Sequence, residues 1–134
     1  MPTQIFVYLP VKDLDRSKTF FSVMGYEFDP MFTDEKATCM IISDSIYVML
    51  LLEPFFVSFT GKKVCDTREA NEALLCLALE SREAVDELIG KARAAGADIK
   101  EAQDHGFMYQ CSFDDLDGHR WELVHMSGEP PQQG

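Results

Sequence analysis

One order of elements occurs twice along this chain, and that repetition limits the folds open to it more than any other feature. Ile5–Val11 is a run of apolar, β-branched and aromatic residues that ends near Pro10, and it reads as a strand. Asp13 or Asp15 can cap the helix that follows, where Leu14, Phe21 and Met24 recur at near-helical spacing and Gly25 supplies the stop. Residues 26–31, 37–42 and 46–52 then read as three strands. They are separated by the polar turns Thr33-Asp34-Glu35 and Ser43-Asp44-Ser45.

The order β-α-β-β-β restarts at residue 73. A nearly non-polar strand over 73–79 leads to Ser81, a second helix cap. Val85, Leu88, Ile89 and Ala92 form one face of that helix, and Gly96 ends it. Strands over 97–101, 107–113 and 119–126 complete the copy. This predicts an α+β fold of two βαβββ modules, each a curved mixed sheet with its helix outside. Module one covers about 4–52 and module two about 71–126, within a single domain of 1–127. The aromatic-rich connection 53–70, with Phe55, Phe56 and Phe59 after Pro54, reads as a long loop suited to a lid or an interface. Residues 128–134, rich in Pro, Gly and Gln, read as a flexible tail. Paired modules of this kind leave a concave inner face where a small molecule can sit.

A formal net charge of −11 repels phosphate backbones and anionic lipid surfaces, which argues against nucleic-acid and membrane partners. Cys39, Cys65, Cys76 and Cys111 form no CxxC pair and read as small buried hydrophobes of a reducing compartment. The N-terminus lacks a basic-then-apolar leader and no apolar run reaches membrane-spanning length, so a cytoplasmic location is expected.

The closing segment carries the clearest chemical signal. Asp115-Leu116-Asp117-Gly118 reads as a tight turn whose carboxylates bond their own backbone and whose glycine supplies positive φ. In the strand that follows, Trp121, Leu123 and His125 share one face, while Arg120, Glu122, Val124 and Met126 share the other. Glu122 is thus an acid within an otherwise apolar strand, either solvated, paired or a ligand. If buried, it needs Arg120, Tyr109 or water as a partner. His105, beside Asp104 and upstream of Tyr109, is a candidate base, against the simpler reading of a side-chain-stabilised turn. His119 reads as a strand-edge residue, and His125 as packed outside against a helix or at a dimer contact.

Two segments resemble the signatures of the vicinal oxygen chelate superfamily, which includes glyoxalase I, extradiol dioxygenases and the bleomycin- and fosfomycin-resistance proteins. The first is Leu9-Pro10-Val11-Lys12-Asp13-Leu14-Asp15-Arg16-Ser17 with Phe20-Phe21 and Met24-Gly25-Tyr26. The second is Asp115-Leu116-Asp117-Gly118-His119-Arg120-Trp121-Glu122-Leu123. The similarity spans roughly residues 4–126. It implies paired βαβββ modules, a homodimer, and a pocket inside each incomplete barrel. The superfamily's enzymes hold one divalent metal there through four strand positions. Carried onto this chain, those positions fall on Phe6, near Met49, near Leu74, and on Glu122, and Glu122 alone can bind a hard cation.

The expectation is therefore a metal-free binder of a small organic molecule. Its site is lined by Phe6, Tyr8, Met49, Leu51, Leu74, Tyr109 and Glu122, and Glu122, His105 and Tyr109 are its candidates for chemistry. One alternative is a lyase of the lactoylglutathione-lyase kind, or a dioxygenase, using Zn, Ni, Mn or Fe on non-standard ligands. A second is a non-catalytic dimeric interaction protein whose pocket is filled by its own side chains.

Overall fold

A computed structural model describes residues 3–127. The expected tail at 128–134 lies outside the described residues. The chain divides between Asp66 and Thr67 into two compact units.

In the first unit, β1 (Ile5–Val11) is followed by α1 (Leu14–Val23), β2 (Glu27–Asp29), a 3-10 turn (Pro30–Phe32), β3 (Ala37–Ile41), β4 (Ile46–Leu52) and α2 (Glu53–Thr60). The strands form one mixed sheet in the order β1-β4-β3-β2, with β1 parallel to β4 and the other pairs antiparallel. Asp13 starts α1 by accepting the Arg16 N–H at 3.0 Å. The helix buries Leu14, Phe20 and Phe21, with the latter two rings edge to face at 4.8 Å. Strand β2 is shorter than the sequence pattern suggests. Pro30 cannot donate to a ladder, and the Asp29 carboxylate takes the Met31 N–H at 2.9 Å, so the chain turns there.

The segment after β4 departs from the expected loop. Pro54 stands in the first turn of α2, where its missing N–H is no loss and its fixed φ suits a helix, and Gly61 closes the helix at φ 68°. The proline read as a break is the start of a helix.

The second unit contains β5 (Leu74–Ala78), α3 (Arg82–Ala95), β6 (Asp98–Ile99), β7 (Gln103–Asp104), β8 (Met108–Asp114) and β9 (Arg120–Met126). Its sheet runs β5-β9-β8-β6, with β7 also on β8, and only β5–β9 is parallel. The Ser81 hydroxyl accepts the Ala84 N–H, and α3 buries Val85, Ile89 and Ala92. The face of β8 and β9 that includes Cys111, Phe113, Trp121 and Leu123 is buried. Its rings stack at 6.3 Å between Phe113 and Trp121. Among the described residues no helix is long and apolar enough to cross a membrane.

The DLDG segment is the turn that the sequence implies. Asp115 Oδ1 accepts the N–H groups of Asp117 and His119 at 2.9 and 3.0 Å, and Oδ2 accepts the indole N–H of Trp121 at 3.0 Å. One carboxylate thus shapes the turn and fixes the first core residue of β9. Cysteine usage is mixed: Cys39 and Cys111 are buried, but Cys65 and Cys76 are exposed, which corrects the all-buried expectation.

Candidate functional site

Each sheet has one face covered by its helix and one open face, because side chains alternate along a strand. On the first sheet, β1 and β4 bring Phe6 opposite Tyr47, Tyr8 opposite Met49, and Pro10 opposite Leu51. The four residues expected to line a site from this module, Phe6, Tyr8, Met49 and Leu51, do share one face. Leu51 is 1% exposed and forms its floor, whereas Phe6 and Tyr8 remain 43% and 45% exposed. The Phe6 and Tyr47 rings stack at 4.7 Å and 13°. Tyr8 meets the edge of Phe59 at 5.5 Å, and Phe59 meets Phe55 at 5.0 Å. Helix α2 therefore extends the aromatic surface of the sheet. Tyr47 and Phe59 are additions that parallel register and a helix-initiating proline, rather than local pattern, bring in.

On the second sheet the open face carries Leu74, Cys76 and Ala78 from β5, Arg120, Glu122 and Val124 from β9, and Gln110, Ser112 and Asp114 from β8. Glu122 sits between Cys76 and Ser112. It is half-buried and makes no hydrogen bond or ion pair with the described residues. Arg120, one of its expected partners, is held by Asp114 across the ladder, Nε to Oδ1 at 2.5 Å, and Asp114 is also 3.7 Å from the Lys100 ammonium. That engagement raises the Arg120 guanidinium above its ordinary value.

Tyr109 lies on the opposite face of the sheet from Glu122. Its hydroxyl donates to Asp86 of α3 at 2.5 Å, and the Arg82 guanidinium stands over its ring at 4.5 Å. It stands one residue from Gln110 in strand β8, so the pleat turns it to the helix side and away from Leu74 and Glu122. His105 occupies the β7–β8 turn, where its N–H donates to the Met108 carbonyl and the Asp104 carboxylate accepts the Gly106 N–H. Glu122 pairs with Ser112, four residues beyond Met108 along β8. At about 3.4 Å per residue, the structure does not bring His105 and Glu122 together. His125 is on the helix side, its Nδ1–H donating to the Leu79 carbonyl at 2.9 Å.

Cys76 is the neighbour of Glu122 that sequence reasoning missed, because strands 46 residues apart meet there (Cys76 to Glu122). Burial and then the Glu122 charge push its thiol up. Removing that charge with Glu122→Gln should lower the thiol value and raise the thiolate fraction. Iodoacetamide at pH 8 is expected to label Cys76 about two- to threefold faster in the variant, with Cys65 as internal control. Peptide mapping by mass spectrometry reads the two sites separately, and equal Cys76 rates would contradict the juxtaposition.

Among the described residues no three His, Cys, Asp or Glu side chains are grouped to hold an ion. Phe6 and Met49 offer no ligand atom for a hard cation, and Leu74 offers none beside Glu122. One carboxylate with a protonated thiol does not fit that chemistry.

Residues 3–43 match a family model described as bleomycin resistance protein-like N-terminal. Among solved structures, a hypothetical protein SA1046 from S. aureus is 26% identical with a TM-score of 0.78, covering 93% of this chain and 95% of its own. A glyoxalase/bleomycin resistance protein/dioxygenase family enzyme from Burkholderia phytofirmans PsJN is 17% identical, with a TM-score of 0.75 and coverage of 93% and 99%. The fosfomycin resistance protein FosX from Listeria monocytogenes is 20% identical, with a TM-score of 0.66 and coverage of 93% of each chain. The fold is that of the glyoxalase/bleomycin resistance/dioxygenase proteins. Its first module carries the bleomycin-resistance-like sequence signal as well. No curated protein matches this chain at a significant level.

Proposed function

We propose that this protein binds a small organic molecule on the aromatic open face of its first sheet, without the divalent metal of the superfamily's enzymes. The observation that carries the reading is the exposure of Phe6 and Tyr8 on a face otherwise built from Tyr47, Met49 and Leu51. Aromatic and thioether side chains left open on a rigid sheet suit a flat apolar ligand. The donor set around Glu122 supports the metal-free half of the proposal. Glu122 itself, half-buried and without a hydrogen bond or ion pair among the described residues, gives the second sheet an acidic group that favours a cationic nitrogen over an anion. Structural neighbours named as bleomycin- and fosfomycin-resistance proteins are in keeping with a small-molecule binder. A homodimer in the cytoplasm belongs to the same proposal, and light scattering in solution tests the dimer.

Titration of the folded protein with Nile red in excess EDTA tests the binding. Saturable fluorescence is expected, and Phe6→Ala should weaken it about tenfold, the loss of one stacking platform with its apolar area. Uptake that is absent, or that Phe6→Ala leaves unchanged, would sink the reading. Uptake that appears only when Zn²⁺, Ni²⁺, Mn²⁺ or Fe²⁺ replaces EDTA would return a metal to the site.

A further inference from the structure

Where β3 begins and β4 ends, a concavity lies beside α2. This open groove has a volume of about 510 Å³ and is lined by Lys36, Leu52, Pro54, Phe55 and Ser58. It shares none of these residues with the Phe6–Tyr8–Tyr47–Met49 face. Its position follows from local structure. The Asp34 carboxylate accepts the N–H groups of Lys36 and Ala37 at 2.7 and 3.0 Å, and the Leu52 N–H donates to the Lys36 carbonyl at 2.9 Å. These bonds fix the Lys36 backbone against the end of β4. Pro54 then opens α2 and sets Phe55 so that the Lys36 ammonium lies 5.8 Å from its ring centroid.

Arg82, Lys91, Lys100 and Arg120 each stand in an ion pair, whereas Lys36 meets no carboxylate within that range among the described residues. Lys18, Lys62, Lys63 and Arg93 share that lack of an ion pair, and what sets Lys36 apart is its place over the Phe55 ring in an apolar concavity. In a chain of net charge −11, an unmatched ammonium above an apolar floor selects for an anion. The floor of Leu52, Pro54 and Phe55 selects for a flat or aliphatic body attached to it. A volume of this size accommodates a bicyclic acid.

We propose that the Lys36–Phe55 groove is a binding site for a small aromatic carboxylate, its ring on Phe55 and Pro54 and its anion on Lys36. The groove adjoins the metal-free face through the Phe55–Phe59 contact but is built around Lys36, so it takes ligands of the opposite charge to those that Glu122 favours.

The test is amide NMR of the ¹⁵N-labelled full chain, titrated with 2-naphthoate and, separately, with the neutral 2-naphthamide. Naphthoate is expected to shift Lys36, Leu52, Phe55 and Ser58 saturably, and to bind more tightly than naphthamide. Lys36→Met keeps the apolar stem and removes the charge. It should raise the naphthoate Kd about fivefold while leaving naphthamide within twofold, in line with an exposed ion pair. Shifts that map elsewhere, no saturation, or equal affinities of the two probes would overturn the site. The last outcome would leave Lys36 as a stem that only covers Phe55. The Nile red titration with Phe6→Ala reads the other face separately, so either proposal can fail alone.

Discussion

Asp115→Ala is expected to destabilise the protein by about 3 kcal/mol in urea unfolding, with an unchanged denaturant slope. The substitution strips the acceptor from two backbone N–H groups and from the indole N–H of Trp121, a side chain that is 1% exposed. Buried donors left without acceptors cost more than the bonds themselves contribute, because water cannot replace the lost partner. Burial raises the Asp115 carboxyl above its ordinary value, opposed by the His119 charge and by these donors. A raised folded-state value makes the group's contribution largest below the unfolded carboxylate range and smaller as pH rises through the folded value. Wild type should therefore lose stability across that window by an amount that Asp115→Ala does not. A loss under 1 kcal/mol at neutral pH would mean that the turn is held by other bonds.

Gly118→Ala is expected to cost about 2–3 kcal/mol, in two separable parts. The residue sits at φ 80°, which a Cβ disfavours, and that Cβ would meet Thr67 Oγ1 at 2.3 Å and Thr67 Cβ at 2.7 Å. Thr67 cannot move freely, since its hydroxyl donates to the Asp117 carbonyl at 2.5 Å. Gly61→Ala supplies the control. Its φ of 68° imposes similar backbone strain, but nothing lies within 4 Å of the added carbon. Gly61→Ala should therefore cost about 1 kcal/mol, and the difference between the two midpoints isolates the Thr67 clash. Equal costs would show that the Thr67 segment yields without penalty.

The repeat of β-α-β-β-β was legible because each unit announces itself locally. Period-two runs mark the strands, aspartate and serine cap the helices at Asp13 and Ser81, and Gly25 and Gly96 close them at φ 102° and 104°. Which residues share a face of one strand was legible for the same reason, so Phe6 with Tyr8 and Arg120 with Glu122 fell where alternation puts them. Lateral neighbours were not. Whether Cys76 or Leu74 stands beside Glu122 depends on a register between strands far apart in sequence, which no local pattern encodes. Tyr109 was drawn toward Glu122 by chemistry alone, although the one-residue offset between Tyr109 and Gln110, the β8 partner of Val124, already puts it on the other face. Helix α2 escaped because Pro54 has two opposite meanings, a break inside a helix and a favoured residue in its first turn.

The parallel pairs β1–β4 and β5–β9 join the first strand of each module to its last. During synthesis this makes the modules wait for their own ends. β5 has no neighbour in its sheet until β9 has emerged, because β9 alone separates it from β8 in the order β5-β9-β8-β6. A nascent chain stalled at the DLDG turn would hold α3 and the β8 edge with no keystone between them, and would expose the apolar Leu75 and Leu77 to other nascent chains. The ribosome must therefore release nearly all of the second module before β5 can join the rest of its sheet, while the first module can complete its sheet once Leu52 has left the exit tunnel.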